Sequence, residues 1–115
     1  MSRPTRSASN TPTTRPTDVA VASIVRFTFR PEVRDEIPAL VDDMLRATRA
    51  FAGLERLDIL LDDSDPDTWT LYEIWTDRAS EDAYRAFRAT PEGAIPRLGE
   101  VLAAPPILEN FVIRD

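Results

Sequence analysis

The stretch TWTLYEIWT, residues 68–76, leaves this chain few folds to adopt. Side chains of an extended strand alternate between faces. Here Trp69, Leu71, Glu73 and Trp75 share one face, and Thr70, Tyr72 and Ile74 share the other. Both faces are apolar, so the strand belongs inside a sheet that is covered on both sides. The preceding LERLDILLD, residues 54–62, is a second strand, with Leu57, Ile59 and Leu61 on one face. The breaker-rich DDSDPD between the two makes them a hairpin.

The rest of the chain supplies partners for that hairpin. In VAVASIVRFTF, from Val19, the residues Val19, Val21, Val25, Phe27 and Phe29 fall on one face with Ser23 among them, which predicts a first strand. After a break at Arg30-Pro31-Glu32 the spacing becomes helical, through Val33, Ile37, Leu40, Val41, Met44, Leu45 and Phe51. Pro38 is tolerated only in the first turn, so the regular helix begins close to Asp35 and ends at Gly53. Asp77 caps a helix from Arg78 to about Ala89, with Ala79, Ala83, Ala86 and Phe87 predicted to face inward. Thr90-Pro91 predicts a short further helix, with Ile95, Leu98, Val101 and Leu102 inward, stopped by Pro105-Pro106. ILENFVI is the last strand. The order β-α-β-β-α-β predicts an α+β, ferredoxin-like fold: a four-stranded antiparallel sheet with helices on one face. Helices on one face leave Tyr72 and Ile74 uncovered, which predicts a homodimer packed through the sheet face.

All of this lies in one domain, residues 19–115. Residues 1–18, MSRPTRSASNTPTTRPTD, hold almost nothing apolar, and a disordered N-terminal tail is expected there. The tail carries Arg3, Arg6 and Arg15 against Asp18, a net of +2, which leaves −8 of the total −6 on the domain. An acidic body argues against nucleic acid as a partner. No apolar run approaches the roughly 18 residues needed to span a bilayer, and VAVASIV is followed by Arg26 with no cleavage site of a signal peptide. The expectation is a cytoplasmic protein that is no partner of membranes. The chain has no Cys and no His, and all 14 of its Lys and Arg residues are Arg. That excludes disulfides, thiolate metal sites, His-based nucleophiles and lysine Schiff bases. Asp63, Asp65 and Asp67 imitate the start of a calcium loop, but Thr68 stands where glycine is needed and Ile74 where glutamate is needed. No metal site is expected there, and the acidic run reads as a solvated turn.

Glu73 followed by Trp75, a short acidic helix start, Ala79 and Ala83, the TPEG of residues 90–93 and the late APPILENF resemble the antibiotic biosynthesis monooxygenase (ABM) domain family. The resemblance spans Val19 to Ile113. It implies a dimeric α/β barrel built from two ferredoxin-like domains, with a pocket between the sheet and the helices of each subunit. It also implies membership of a group that includes cofactor-independent oxygenases of aromatic polyketides, quinol oxygenases, haem-degrading enzymes and small proteins of unknown role. Eleven residues after the glutamate, many members carry a histidine on the second helix; here that position is Tyr84. The resemblance therefore implies neither haem ligation by that position nor chemistry that uses the histidine as a base.

Glu73 and Tyr84 are the candidate catalytic residues. A desolvated carboxylate beside an indole is a candidate general base, and a phenol can donate to a substrate oxygen or stabilise an enolate. The alternative for Glu73 is a structural carboxylate paired with an arginine such as Arg26 or Arg85, or bonded to backbone amides, and for Tyr84 an amphipathic residue at the rim. Trp69 and Trp75 are candidate walls for a planar aromatic substrate, with Phe87, Asn110 and Arg85 as further substrate-binding candidates. Two functions are open at this point. One is a cofactor-independent monooxygenase acting on a phenolic, polyketide-like or quinol-like small molecule, with no cofactor expected. The other is a non-catalytic dimeric small-molecule-binding or assembly module. A cavity of roughly 300 Å³ or more between Trp75 and Tyr84 separates them.

Overall fold

Alternation becomes strand pairing in the computed structural model, which describes residues 19–114; the tail expected over residues 1–18 lies outside the described residues. The elements run β1 (Val21–Thr28), a 3-10 turn (Pro31–Glu36), α1 (Ile37–Ala50), β2 (Leu54–Leu61), β3 (Thr68–Trp75), α2 (Arg78–Arg88), α3 (Leu98–Val101) and β4 (Ile107–Val112). The four strands form one antiparallel sheet in the order β2-β3-β1-β4. This is the ferredoxin-like arrangement expected from the pattern. The sheet of one chain is open, with β2 and β4 as its edges, and is not closed into a barrel.

The register decides which side chains meet the helices. Val21, Ser23, Val25 and Phe27 of β1 lie opposite Trp75, Glu73, Leu71 and Trp69 of β3. The same face continues onto β4 through Val112, Asn110 and Leu108, opposite Val21, Ser23 and Val25. Val25, Phe27, Phe29, Leu57 and Leu71 pack with Ile37, Val41, Met44 and Leu45 of α1 to form the main core. A second cluster, of Val21, Trp75 and Tyr84 with Phe51, Leu54 and Phe87 against it, sits under α2. All six residues of β4 are exposed, so the helices leave this edge uncovered.

Three local expectations are revised. Pro31 and Pro38 divide the first helix into a 3-10 turn followed by α1, because a proline at the second helical position supplies no amide to the turn before it. The short helix placed after Thr90 forms only at Leu98–Val101. Thr90 instead closes a turn: its hydroxyl donates to the Phe87 carbonyl at 2.6 Å and accepts from the Gly93 amide at 3.1 Å. The third revision is the buried face of α2. Glu81 and Tyr84 are its buried residues, while Ala79, Ala83 and Ala86, expected inward, are exposed.

Two turns hold the layers in place. Gly53 has φ +94°, and a Cβ there would collide with the Ser80 side chain on α2, so the α1–β2 turn and the start of α2 touch backbone to side chain. In the β2–β3 turn, Asp62 accepts from the amides of Ser64 and Asp65 at 2.8 and 2.9 Å. Asp67 takes a two-pronged ion pair from Arg34 at 2.7 and 2.8 Å. These carboxylates serve the turn's own groups, which is what lets so acidic a run fold tightly. The Ser64 amide holds the Asp62 carboxyl below its ordinary range, and the Arg34 guanidinium does the same for Asp67.

Candidate functional site

A row of polar positions crosses the otherwise apolar inner face of the sheet: Glu73 on β3, Ser23 on β1 and Asn110 on β4. Above it, α2 is held by its Asp77 cap, whose side chain accepts from the Ser80 amide at 2.8 Å. Starting there, the helix brings Glu81, Tyr84, Arg85 and Arg88 down onto the sheet and onto α1. An all-apolar helix face would have left Ser23 without a partner and Glu73 without a countercharge in a dry layer, at a cost of about 1–3 kcal/mol or more each. The polar face of α2 avoids that.

Two networks result. In the first, Glu73 and Glu81 are each 1% exposed and share the guanidinium of Arg85. Arg85 Nη2 donates to Glu73 Oε1 at 2.9 Å and to Glu81 Oε2 at 3.2 Å, and Nε donates to the same Glu81 oxygen at 3.3 Å. Trp75 Nε1 donates to Glu73 Oε1 at 3.0 Å, and the Ser23 hydroxyl donates to Glu81 Oε2 at 2.7 Å. In the second network the Tyr84 hydroxyl lies 2.6 Å from Thr48 Oγ1 and accepts from Arg88 Nε at 2.8 Å. Arg88 Nη2 also donates to the Met44 carbonyl and to Thr48 Oγ1, and Nη1 to the Gly93 carbonyl, tying α1 to the loop after α2. The guanidinium carbons of Arg85 and Arg88 lie 5.1 and 5.2 Å from the centroid of the Tyr84 ring, within cation–π range.

The candidates separate accordingly. Glu73, Trp75 and Arg85 are joined directly by hydrogen bonds, and Tyr84 packs beside them with its ring centroid 5.1 Å from that of Trp75. That ring contact fills the space between Trp75 and Tyr84, so the chamber expected there does not form between them. Tyr84 is 4% exposed, a core residue and not a rim residue. Phe87 is half-buried and stacks at a tilt on Phe51, 5.5 Å between centroids. Asn110 is exposed on the inner face of β4, opposite Ser23. Trp69 is not brought to this place. It sits six residues along β3, roughly 20 Å away, in the main core, edge-on to Phe29. Of the two arginines offered as partners for Glu73, Arg85 is the one in place. Arg26 lies on the opposite face of the sheet, beside Thr70 and Ile107.

The family profile of antibiotic biosynthesis monooxygenases matches residues 20–93, more than half of the chain. The chain belongs to this family. An ABM-family crystal structure superposes with a TM-score of 0.70 at 21% identity, covering 83% of this chain and 99% of that one. The protein Rv0793 from Mycobacterium tuberculosis superposes with a TM-score of 0.68 at 31% identity, covering 84% and 96%. A conserved protein from Methanosarcina mazei Go1 gives 0.71 at 20% identity, covering 86% and 97%. The likenesses at 20 and 21% speak for the fold alone. No curated protein matches the sequence.

Two residues in the first network of this ABM chain were not singled out from its sequence: Glu81 and Ser23. The signal for them was present. Ser23 interrupts an apolar row directly across from Glu73, and two polar neighbours at one level of a sheet require a polar partner from the helix above. The ABM chain also has a groove of about 660 Å³ between α1 and residues 94–97, floored by Leu40, Met44 and Ile95, with Arg88 at its inner end. Arg88 and Met44, whose carbonyl accepts from Arg88 Nη2, connect this groove to the second network. At its rim Glu36 accepts from Arg97 at 2.8 Å, which raises the Arg97 guanidinium above its ordinary range.

Proposed function

We propose that this ABM-family chain is a cofactor-independent oxygenase of a small phenolic or anthrone-like aromatic, acting as a homodimer. The observation that carries the reading is the dry assembly of Glu73, Glu81 and Arg85 beside the Trp75 indole. A carbanion route to oxygenation needs three things: an acceptor for a substrate proton, a cation for the oxyanion that develops, and the exclusion of water. Two buried carboxylates and one shared guanidinium are groups of those kinds. In this route a ring CH₂ gives up one proton to a carboxylate, and its electrons delocalise onto the neighbouring ring oxygen. The carbanion carbon then bonds to dioxygen. The peroxide takes up a proton, its O–O bond breaks, and loss of water leaves a new C=O, so that CH₂ and O₂ become C=O and H₂O.

Glu73 takes the proton in this proposal, Arg85 faces the developing oxyanion, and Trp75 forms the aromatic wall, with Asn110 at the open end. Tyr84 acts through its contact with Trp75, since its hydroxyl is already engaged by Thr48 and Arg88. Trp69 has no part in this site. The homodimer rests on the sheet face away from the helices, which presents Ile24, Tyr72, Ile74, Ile107 and Phe111. Ile107 and Phe111 are 51% and 46% exposed in a single chain, which is unusual for side chains of this size without a partner. No helix among the described residues is long and apolar enough to cross a membrane, and the protein is proposed to work in the cytoplasm.

A second reading has its own support. Arg85 already occupies Glu73, and the Trp75–Tyr84 contact leaves no room between those rings. Both features suit a non-catalytic binding or assembly module. Turnover of anthrone by the purified protein under air, followed by oxygen uptake and quinone absorbance, distinguishes the two. The oxygenase reading expects uptake above the protein-free rate and a loss of about tenfold or more in Glu73→Gln. Tight binding without uptake supports the module.

A further inference from the structure

Two fully buried polar side-chain atoms at the edge of the Glu73–Arg85–Glu81 assembly are left without a hydrogen-bond partner. Glu81 Oε1 is buried with no hydrogen-bond partner among the described residues, and so is Arg78 Nε. The two lie 3.7 Å apart, close enough for ion pairing and too far for a hydrogen bond. The rest of Arg78 is not locked in: its side chain is 40% exposed, against 1% for Glu81. An acceptor and a donor left open side by side match a group that donates and accepts through a single atom, which is what a hydroxyl does. Next to them, the inner face of β4 continues the sheet level by level. Asn110 stands beside Ser23, the residue that holds the other oxygen of Glu81, with Leu108 and Val112 on either side. Leu108 and Val112 are 45% and 66% exposed on this face, two apolar patches with the Asn110 amide between them.

We propose that Glu81 and Arg78 form the hydroxyl-recognition point of this protein, and that its ligand is a planar phenol. The flat body lies on Leu108 and Val112. The phenolic O–H donates to Glu81 Oε1, and Arg78 Nε donates to the phenolic oxygen, which enters as the half-exposed Arg78 side chain shifts to widen its 3.7 Å separation from Glu81. The carboxylate selects the more acidic O–H of a phenol over that of an aliphatic alcohol, since hydrogen bonds to an ionised acceptor strengthen with donor acidity. An aryl methyl ether of the same shape offers no proton and leaves Glu81 Oε1 unpaired, which a buried site penalises. The proposal rests on the aromatic-substrate reading and does not depend on oxygenation.

The test compares 2-naphthol with 2-methoxynaphthalene by isothermal titration calorimetry on the full chain at pH 7. The wild-type protein is expected to bind the naphthol about tenfold or more tightly, the discrimination typical of a charge-assisted hydrogen bond. Glu81→Gln is expected to abolish that preference. Arg78→Ala alters a half-exposed side chain and leaves the buried carboxylates in place, so it keeps the test decisive if Glu81→Gln fails to fold. It is expected to reduce the preference about threefold or more. The proposal is overturned if the wild type binds neither compound, if it binds both equally, or if the preference survives in Arg78→Ala or in a folded Glu81→Gln. Naphthol selectivity without any oxygen uptake on anthrone would leave this inference standing and remove only the oxygenase reading.

Discussion

Removing Arg85 should expose how much of this domain depends on one guanidinium. Arg85→Met keeps most of the side-chain volume and the aliphatic contact with the sheet, and takes away the charge shared by Glu73 and Glu81. Both carboxylates are 1% exposed and cannot recover their hydration in place. Breaking a buried pair from one side costs about 3–5 kcal/mol. Arg85 is itself 28% exposed and Arg78 still lies 3.7 Å from Glu81, which places the expected loss at the lower end, about 3 kcal/mol. For a domain of this size that corresponds to a fall in Tm on the order of 10–20 °C. Urea unfolding followed by tryptophan fluorescence measures it, with the slope against urea unchanged if only stability is affected. A second substitution, Glu73→Gln in the Arg85→Met background, should return about 1–2 kcal/mol, because the penalty lies in the orphaned charge and not in lost packing. A loss under about 1 kcal/mol, or no recovery on adding Glu73→Gln, would refute the reasoning.

Other consequences are as direct. Gly53→Ala places a side chain in left-handed backbone and against Ser80, and should cost about 2 kcal/mol by chemical denaturation. Tyr84→Phe strands the Arg88 Nε donor, removes the hydrogen-bond partner that Tyr84 gives Thr48 and should cost about 1–2 kcal/mol, while anthrone turnover falls only modestly if Tyr84 acts through Trp75. Arg34 holds the Asp67 carboxyl below its ordinary value, so this pair stabilises the fold above that value and the benefit is lost as pH falls through the folded value. The stability gap between the wild type and Asp67→Asn should therefore be present at pH 6 and close below roughly pH 4. Analytical ultracentrifugation should find twice the 12.9 kDa chain mass, with Tyr72→Glu on the outer sheet face shifting the protein to monomer.

The fold was legible because the first three strands announce themselves by period two and most breaks by Pro, Gly or clustered Asp. The alternation of TWTLYEIWT put Glu73 and Trp75 on one face, and the packing of Leu71 and Trp75 against the helices makes that face the inner one. Helix α2 was misread because hydrophobic periodicity takes alanines as the buried stripe. Here the facing row holds Ser23 and Glu73, and hydrogen-bonding demand outweighed the small apolar gain of burying Ala79, Ala83 and Ala86. Trp69 and Trp75 looked equivalent on paper because they share a face, but a strand separates such positions along its length as surely as it aligns them. The pairing of Glu73 with Arg85 needed the crossing of α2 over the sheet, which spacing within α2 does not contain. The short helix after Thr90 failed for a local reason: the Thr90 side chain closes a tight turn on Gly93 instead of starting a helix.

The central claim is that carboxylates buried beneath α2 let this protein pass a substrate proton on and hand the resulting carbanion to dioxygen. Oxygen uptake by the purified wild-type chain with anthrone at neutral pH, set against protein-free buffer, tests it most directly. The expected result is one O₂ consumed per anthraquinone formed, at a rate well above the buffer and strongly reduced in Glu73→Gln. Uptake equal to buffer, or a rate that Glu73→Gln leaves untouched, would contradict it.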